Sequence, residues 1–336
     1  MQQQAIEERI SSSTGATDSL IHENRRRRET IAITMVTTIM LLGGSNDTCS
    51  YLNGVAGVGC AAGYEFLTTS TEASNLFSCP SFSSNLEKGV YGGLQLAFVT
   101  MFLTVLLELT SLDTVRRLRL DPQNKDLYRI ACFINVRNHL LFGVPVYATS
   151  IALFGKQNDA PAGGGEDVLA FSRLIQVMLV VLIHGLSYYT VHMAMHSHPS
   201  LYRFHKFHHR FNKYIPVMAA NAVSVVEYLL AYVLPFGLAA LLTSPVDELD
   251  MRAGVYIVST CNLLIHTSAL EKNKAIASWL EPYFVTAASH STHHRQLNIY
   301  FAAPTLNFDW FFAQLFQRFS YPSALFSAKQ GDDDAA

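Results

Sequence analysis

Long apolar segments recur along this chain of 336 residues and constrain its fold more than any other feature. Half of the residues are hydrophobic and 15% are charged, whereas charged residues make up about a quarter of a typical soluble domain. Apolar segments of this kind are typical of membrane-spanning helices. We predict spans at residues 31–42, 90–112, 140–154, 168–190, 218–242 and 253–269. The sequence therefore predicts an all-α integral membrane helical bundle.

Basic residues beside these segments predict how the bundle is oriented. They concentrate at residues 25–28, 116–137 and 203–213, and cytosolic loops carry an excess of Lys and Arg. A cytosolic N-terminus puts all three groups on the cytosolic side, provided that residues 31–42 cross the membrane. A signal peptide is the alternative interpretation of that short segment. The net charge of −2, without a basic stripe, excludes nucleic-acid binding.

The segments and their flanks predict four regions. Residues 1–29 are polar and predicted to be disordered, 30–137 form an N-terminal transmembrane region, 138–320 the catalytic domain and 321–336 a flexible acidic tail. Residues 45–86 suit a lumenal loop, with a glycosylation sequon at Asn46 and three cysteines, Cys49, Cys60 and Cys79. Free thiols and an unused sequon remain the alternative. No Cys-x-x-Cys spacing supports a zinc-ribbon or thioredoxin-type site.

Three histidine clusters hold eight of the thirteen histidines of the chain. They are His192-x-x-x-His196, His205-x-x-His208-His209 and His290-x-x-His293-His294. Imidazole is a metal ligand, and histidines three or four residues apart share one face of a helix. We therefore expect each triad to face one way, and the three clusters to surround two metal ions in a cytosolic histidine-rich cap.

Other interpretations explain the clusters less well. Isolated histidines such as His22 and His184 are more often structural, but three clusters with this spacing are not. A zinc ion needs only three or four ligands, and His-Glu-x-x-His is absent. No carboxylate lies in a cluster, which excludes a ferritin-like site. A histidine-rich metal transporter would carry ionisable residues along several spans, and complete clusters argue against an inactive scaffold.

Residues 138–316 resemble the sterol desaturase and fatty acid hydroxylase superfamily of membrane-bound di-iron enzymes. The resemblance is carried by Asn138-His139 with Pro145, by the motif from Leu201 to His209, by Leu264-Ile265-His266, and by His290–His294 followed by Asn298-Ile299-Tyr300 and Asp309-Trp310-Phe311. It implies two iron ions bound by His192, His196, His205, His208, His209, His266, His290, His293 and His294. His139 and Asn262 are weaker candidates for residues that contact the ligand histidines without binding the metal themselves.

The chain also departs from the superfamily pattern. Many members carry His-Pro-x-Glu where this chain has Ser224-Val225-Val226-Glu227, and the usual Asn-Tyr-Gly is Asn298-Ile299-Tyr300 here. Glu227 lies inside an apolar span, where it is expected either to orient a ligand histidine or to pair with a polar group such as Asn221. The run 221–236 is similar to algal members, including the alternative squalene epoxidases.

The resemblance implies an O₂-dependent oxidoreductase, a hydroxylase or desaturase acting on a membrane lipid such as a sterol or fatty acyl chain. A squalene epoxidase-type activity is the alternative. The chain has no cytochrome b5 signature, Rossmann fingerprint or ferredoxin cysteines, so electrons are expected to come from another protein. The resemblance implies cytochrome b5 and an NAD(P)H-dependent reductase as these electron donors. A basic patch of Arg203, Lys206, Arg210 and Lys213 is a candidate docking surface, with positive-inside signalling or headgroup binding as alternatives. The implied compartment is the endoplasmic reticulum.

Overall fold

The computed structural model describes residues 84–156 and 166–318. Within these two ranges the chain is helical, without a β-strand; Gly155 with Val246 and Phe284 with Leu306 form isolated bridges. The predicted span at 31–42, the sequon at Asn46 and the cysteines Cys49, Cys60 and Cys79 lie outside the described residues. The predicted terminal regions 1–29 and 321–336 lie outside them as well.

The helices follow one another with short connections. They are α1 Asn85–Glu108, α2 Leu112–Leu120, α3 Leu127–Arg137, α4 Val144–Phe154, α5 Glu166–Ser197, α6 Pro199–His205, α7 Val225–Glu227, α8 Leu234–Leu242, α9 Glu248–Ile265, α10 Ser268–Glu271, α11 Lys274–Leu280, α12 Ala287–Gln296 and α13 Phe308–Arg318. Short 3₁₀ segments cover Leu109–Ser111, His208–Arg210 and Val217–Asn221, and π-helical segments cover Asn138–Gly143 and Tyr228–Val233.

Three of the described helical segments are long and apolar enough to cross a membrane. They are Asn85–Leu120, Phe171–Ser197 and Val225–Leu242. Large apolar side chains such as Phe98, Leu141 and Leu153 are exposed on the outside of the bundle, where lipid would surround them. The predicted all-α integral membrane bundle is confirmed.

Small residues allow the spanning helices to pack closely. Gly89 and Gly93 of α1 lie against the backbone of Ala148 and Val144, where a β-carbon would approach atoms of α4 to 2.8 and 3.2 Å. Close approach through glycine is the usual way in which membrane helices gain packing contacts. A central core, including Leu96, Ile151 and Met251, joins α1, α4 and α9.

The predicted spans at 218–242 and 253–269 have different bounds in the structure. The first begins at Val225, because the preceding residues form a separate 3₁₀ turn and Ser224 then caps the new helix by accepting the Glu227 N–H. The second begins earlier than predicted, at Glu248, where Asp247 caps α9. This helix ends at Ile265, and His266 is its C-terminal cap residue.

Candidate metal centre

The first histidine cluster lies in the last two turns of α5. The predicted span at 168–190 continues as helix to Ser197, so that His192 and His196 belong to the same rod as the membrane segment. They are one turn apart, and their ring centroids are 4.9 Å apart. His192 is buried and His196 is half-buried.

The histidines of the second cluster point in two different directions. His205 ends α6, and the chain then tightens into the 3₁₀ segment that carries His208 and His209. The Nε2 atom of His205 lies 3.1 Å from that of His192, and the Nε2 atom of His209 lies 3.2 Å from that of His196. His208 instead packs on His294, with ring centroids 4.5 Å apart. The expectation that this triad faces one way is wrong.

The histidines of the third cluster also point in two directions. All three of its histidines are on α12, whose N-terminus is closed by a reciprocal capping box between Thr286 and Ser289. His290 and His294 meet through their Nε2 atoms at 3.2 Å. His293 points the other way, toward the rings of the first cluster. The expectation that this triad faces one way is wrong as well.

His266 completes the arrangement from the C-terminal end of α9. Its Nε2 atom lies 3.1 Å from that of His290, and its ring is buried. The predicted ligands thereby form two groups, a five-histidine group of His192, His196, His205, His209 and His293 and a four-histidine group of His208, His266, His290 and His294. Within each group the candidate ligand atoms lie within 4.8 Å of one another. The structure brings all nine predicted ligand residues together.

The spacing of the nitrogen atoms fits a bound metal ion. The Nε2 atoms of His205 and His209 are 2.8 Å apart, and the other close pairs are 3.1 to 3.2 Å apart. Two imidazole nitrogens about 2.1 Å from one ion, at right angles to each other, would be about 3.0 Å apart. Both groups therefore have room for an ion between their nitrogens.

Backbone carbonyls fix which nitrogen of several rings faces inward. His192 donates its Nδ1–H to the carbonyl of Phe301 at 2.7 Å, and His293 donates to that of Ile299 at 2.7 Å. His266 donates to the carbonyl of Asn262 at 2.8 Å. Donation from the second ring nitrogen is the usual arrangement behind a metal-bound histidine, because it leaves the Nε2 lone pair free.

Glu227 has the same relation to His205. Its Oε1 atom accepts the Nδ1–H of His205 at 2.6 Å, and both side chains are buried. Of the two roles predicted for Glu227, orientation of a ligand histidine agrees with this contact. Asn221, the alternative partner, instead accepts a hydrogen bond from Asn262 at 3.2 Å.

These contacts make a cation the natural occupant of the site. With Nδ1–H donated, the facing Nε2 atoms of His192 and His205 both carry lone pairs, so they lack a proton to share at 3.1 Å. Burial also keeps the neighbouring rings neutral, because it lowers the pKa of His293 to about 4 and that of His209 to about 2. Buried, neutral, convergent imidazoles are the form that binds metal ions.

A turn after α12 supplies two of the carbonyls. Leu297 and Tyr300 both have positive φ angles, 64° and 57°, and fold the chain back so that the carbonyls of residues 299 and 301 reach the site. Asp309 holds this turn by accepting the N–H of Ala302 at 2.7 Å. The sequence did not predict these carbonyl contacts, although the unusual Asn298-Ile299-Tyr300 motif and the acid at 309 marked the segment.

The weaker candidates lie outside the two groups. Asn262 contributes its carbonyl to His266 and does not present a metal ligand. His139 faces the hydroxyl of Tyr228 at 3.5 Å, and His184 packs against the ring of Phe236 with centroids 4.1 Å apart. In the part of the chain that the structure describes, the two groups contain only histidines.

The two groups are immediate neighbours. The rings of His209 in one and His294 in the other have centroids 4.9 Å apart, and those of His293 and His294 are 6.1 Å apart. Adjacent groups of five and four imidazoles have the composition of a two-metal site. Imidazole ligands suit zinc, copper, iron and nickel, so the donor set alone leaves the element open.

Comparison with known proteins agrees with this geometry. Residues 177–314 match the family model for fatty acid hydroxylases, and this range contains all nine histidines of the two groups. The match confirms the resemblance to the sterol desaturase and fatty acid hydroxylase superfamily. No curated protein and no solved structure matches the chain.

Proposed function

We propose that this member of the fatty acid hydroxylase family is an O₂-dependent oxidoreductase that binds two iron ions and hydroxylates or desaturates a membrane lipid. The observation that carries the proposal is the pair of adjacent, buried, histidine-only groups at the end of a membrane helix. The family match supports lipid oxidation. A squalene epoxidase-type reaction remains the alternative within the same chemistry.

The choice of iron rests on the donor set and on the family. Five convergent imidazoles exceed the three or four protein ligands that zinc takes in proteins. Iron accepts imidazole ligands and changes oxidation state, and so supplies the activation of O₂ that attack on an unactivated C–H bond requires. The residues that would hold it are the nine histidines of the two groups, with Glu227 and three backbone carbonyls fixing the orientation of four rings.

A cavity inside the bundle offers a place for the lipid. It has a mostly apolar wall that includes Leu96, Val146, Phe236 and Val255. Its lining runs along α9 from Met251 to Ser259, about 12 Å at the helical rise of 1.5 Å per residue. A lipid that enters from the bilayer would therefore remain in apolar surroundings as it approaches the metal centre.

Aromatic side chains separate this cavity from the metal centre. Tyr232 lines the cavity and packs edge-on against Tyr188, with ring centroids 5.4 Å apart. Tyr188 in turn lies beside His192, at 5.2 Å between ring centroids. We infer that these rings exclude water from the reacting carbon and limit which part of the lipid reaches the metal.

We further propose that electrons come from cytochrome b5 and an NAD(P)H-dependent reductase on the cytosolic face of the endoplasmic reticulum. The basic residues Arg203, Lys206, Arg210 and Lys213 are all exposed around the second histidine cluster, which supports docking of an acidic donor there. Lys213 lies 4.0 Å from Asp121, so its charge is partly neutralised. Binding of this patch to anionic headgroups is the competing explanation.

Metal analysis of the purified full-length protein, with lipid product analysis in cells that express it, tests the proposal. We expect about two iron ions per chain and an oxidised lipid that depends on O₂. His293→Ala should abolish the product while the protein still inserts into the membrane. The matched control is His198→Ala, because His198 is exposed between two clusters and lies outside both groups. A folded, metal-free protein, or turnover retained by His293→Ala, would contradict the proposal; metal transport without lipid oxidation would favour the transporter alternative.

A further inference from the structure

Two π-helical segments face each other across the cavity. Asn138–Gly143 connects α3 to α4, Tyr228–Val233 connects α7 to α8, and both contribute to the cavity wall. They meet where the rings of His139 and Tyr228 lie nearly perpendicular, with centroids 6.0 Å apart. π-Helical turns are rare and occur frequently at functional sites. Their coincidence at one cavity suggests that the wall is shaped for a ligand.

Two buried polar atoms on this wall have no hydrogen-bond partner among the described residues. They are Nε2 of His139 and Nδ2 of Asn221. A buried donor without a partner destabilises the folded protein. In a mostly apolar cavity, such groups are expected to be satisfied by a bound molecule.

The hydrogen bonds around Asn221 identify its Nδ2 atom as a donor, and we assign the ring proton of His139 to Nε2. Asn262 donates through Nδ2 to the carbonyl of Ala220, so the side chain of Asn221 must present its oxygen to Asn262 and its amide N–H groups remain free. The Tyr228 hydroxyl faces Nδ1 of His139 at 3.5 Å. A hydroxyl that donates to Nδ1 leaves the ring proton on Nε2.

Both donors are linked through a neighbouring residue to a group that holds one of the histidines. Asn221 contacts Asn262, whose carbonyl holds His266. Tyr228, which contacts His139, directly follows Glu227, which holds His205. An oxygen atom bound between the two donors would therefore lie near groups that hold two of the histidines.

We propose that His139 and Asn221 bind a neutral oxygen atom, a hydroxyl or carbonyl group, of the lipid substrate. The inference rests on the proposed function and narrows its substrate class to lipids with an oxygen function near the oxidised carbon. Among the described residues, the cavity wall contains no Lys, Arg, Asp or Glu, which disfavours a carboxylate or phosphate group in this position. Specificity follows because a hydrocarbon analogue would leave both donors unpaired.

Competition binding to the purified full-length protein in detergent tests the inference. The probes are two pairs that differ in one oxygen function, cholestanol with cholestane and octadecanol with octadecane, and cholestanone tests a carbonyl. In at least one pair we expect the alcohol to bind about tenfold or more tightly than its hydrocarbon. His139→Phe, which keeps a ring without a donor, should remove this preference, whereas His139→Gln should retain part of it.

Two further variants locate the effect. Asn221→Asp keeps an oxygen toward Asn262 but loses the amide donor, and it should reduce the preference for the alcohol. Ser150→Ala alters another polar residue of the same wall and should leave the preference unchanged. Equal binding of alcohol and hydrocarbon in both pairs, or an unchanged preference in His139→Phe, overturns the inference. Metal content measured in the same samples separates this result from failure of the proposed function, which would appear as metal-free protein.

Discussion

His208 and His209 are adjacent in the sequence but belong to different histidine groups of the candidate metal centre. Their rings lie at 83° to each other, with centroids 5.7 Å apart. His209 reaches His196 and His205, whereas His208 reaches His294. One short 3₁₀ segment thereby ties the two groups together. A ligand at one of these positions therefore cannot substitute for the other.

This division predicts different effects for two neighbouring substitutions. His208→Ala leaves three imidazoles in the four-histidine group, so we expect that group to lose its ion and the metal content to fall to about half. His209→Ala leaves four imidazoles in the five-histidine group, so we expect more metal to be retained, with lower affinity. Metal analysis after dialysis against a chelator measures both.

His198→Ala is the control for this pair, because it removes an exposed histidine from the same segment of chain. Equal metal loss in His208→Ala and His209→Ala would contradict the division into two groups. The variants also need comparable expression and detergent extraction, which shows that the bundle has folded.

The carboxylate behind His205 supports a second prediction. Glu227 holds the Nδ1–H of His205 at 2.6 Å in a buried contact. We expect Glu227→Ala to lower metal affinity or activity about 10- to 100-fold, because the ring loses its fixed tautomer and orientation. Glu227→Gln should have a smaller effect, since its amide oxygen still accepts the hydrogen bond. Titration of the metal-stripped protein measures the affinity.

Glu248→Gln is the control, because Glu248 is a partly buried acid that lies 18 residues before His266 in the sequence, at the other end of α9. It bonds to Tyr147 and Arg252 there. A loss of metal affinity in Glu248→Gln equal to that in Glu227→Ala would show that the effect arises from general destabilisation.

That the histidines of one helix lie near one another was predictable from the sequence, because residues three or four apart share a side of a helix. How they divide was not. On a helix with about 100° per residue, positions i and i+4 lie about 40° apart and i+3 lies about 60° to the other side. His290 and His294 therefore pair, and His293 diverges far enough to reach a second group. Whether this angular difference places His293 in a second group depends on the residues that surround α12. The sequence of one cluster does not show which residues these are.

Backbone contacts were the part least accessible to prediction. Every residue has a carbonyl, so the sequence does not show that those of Ile299, Phe301 and Asn262 hold histidines. Similarly, the start of the fifth predicted span was placed seven residues too early, at 218 instead of Val225. Apolar composition continues through the 3₁₀ turn Val217–Asn221, and the capping role of Ser224 decides where the helix begins.

Removal of the metal should make the protein acid-sensitive. Burial lowers the pKa of His293 to about 4 and that of His209 to about 2, whereas unfolded histidine has a pKa of about 6.5. As the pH falls below about 6.5, the unfolded chain therefore takes up protons that the folded chain does not. Each such histidine lowers the free energy of unfolding by at most about 1.4 kcal/mol per pH unit, until its folded pKa is reached.

Thermal unfolding of chelator-treated protein between pH 7 and pH 5 measures this effect. We expect the midpoint to fall steadily across that interval, and to be higher at each pH after the metal is restored, because bound metal stabilises the folded state. A midpoint of the metal-free protein that does not change with pH would contradict the buried, neutral state of these rings.

The turn that carries the carbonyl of Phe301 contains a strained residue. Tyr300 has a φ angle of 57°, in the left-handed region where a β-carbon costs roughly 1–2 kcal/mol. It also occupies the position of the glycine in the superfamily motif Asn-Tyr-Gly. We therefore expect Tyr300→Gly to be about 1 kcal/mol more stable than Tyr300→Ala, because alanine keeps the β-carbon and glycine does not. Thermal unfolding of the two metal-loaded variants measures the difference. Since both lose the same half-exposed ring, the comparison isolates the backbone, and equal stability of the two variants would show that Tyr300 is not strained.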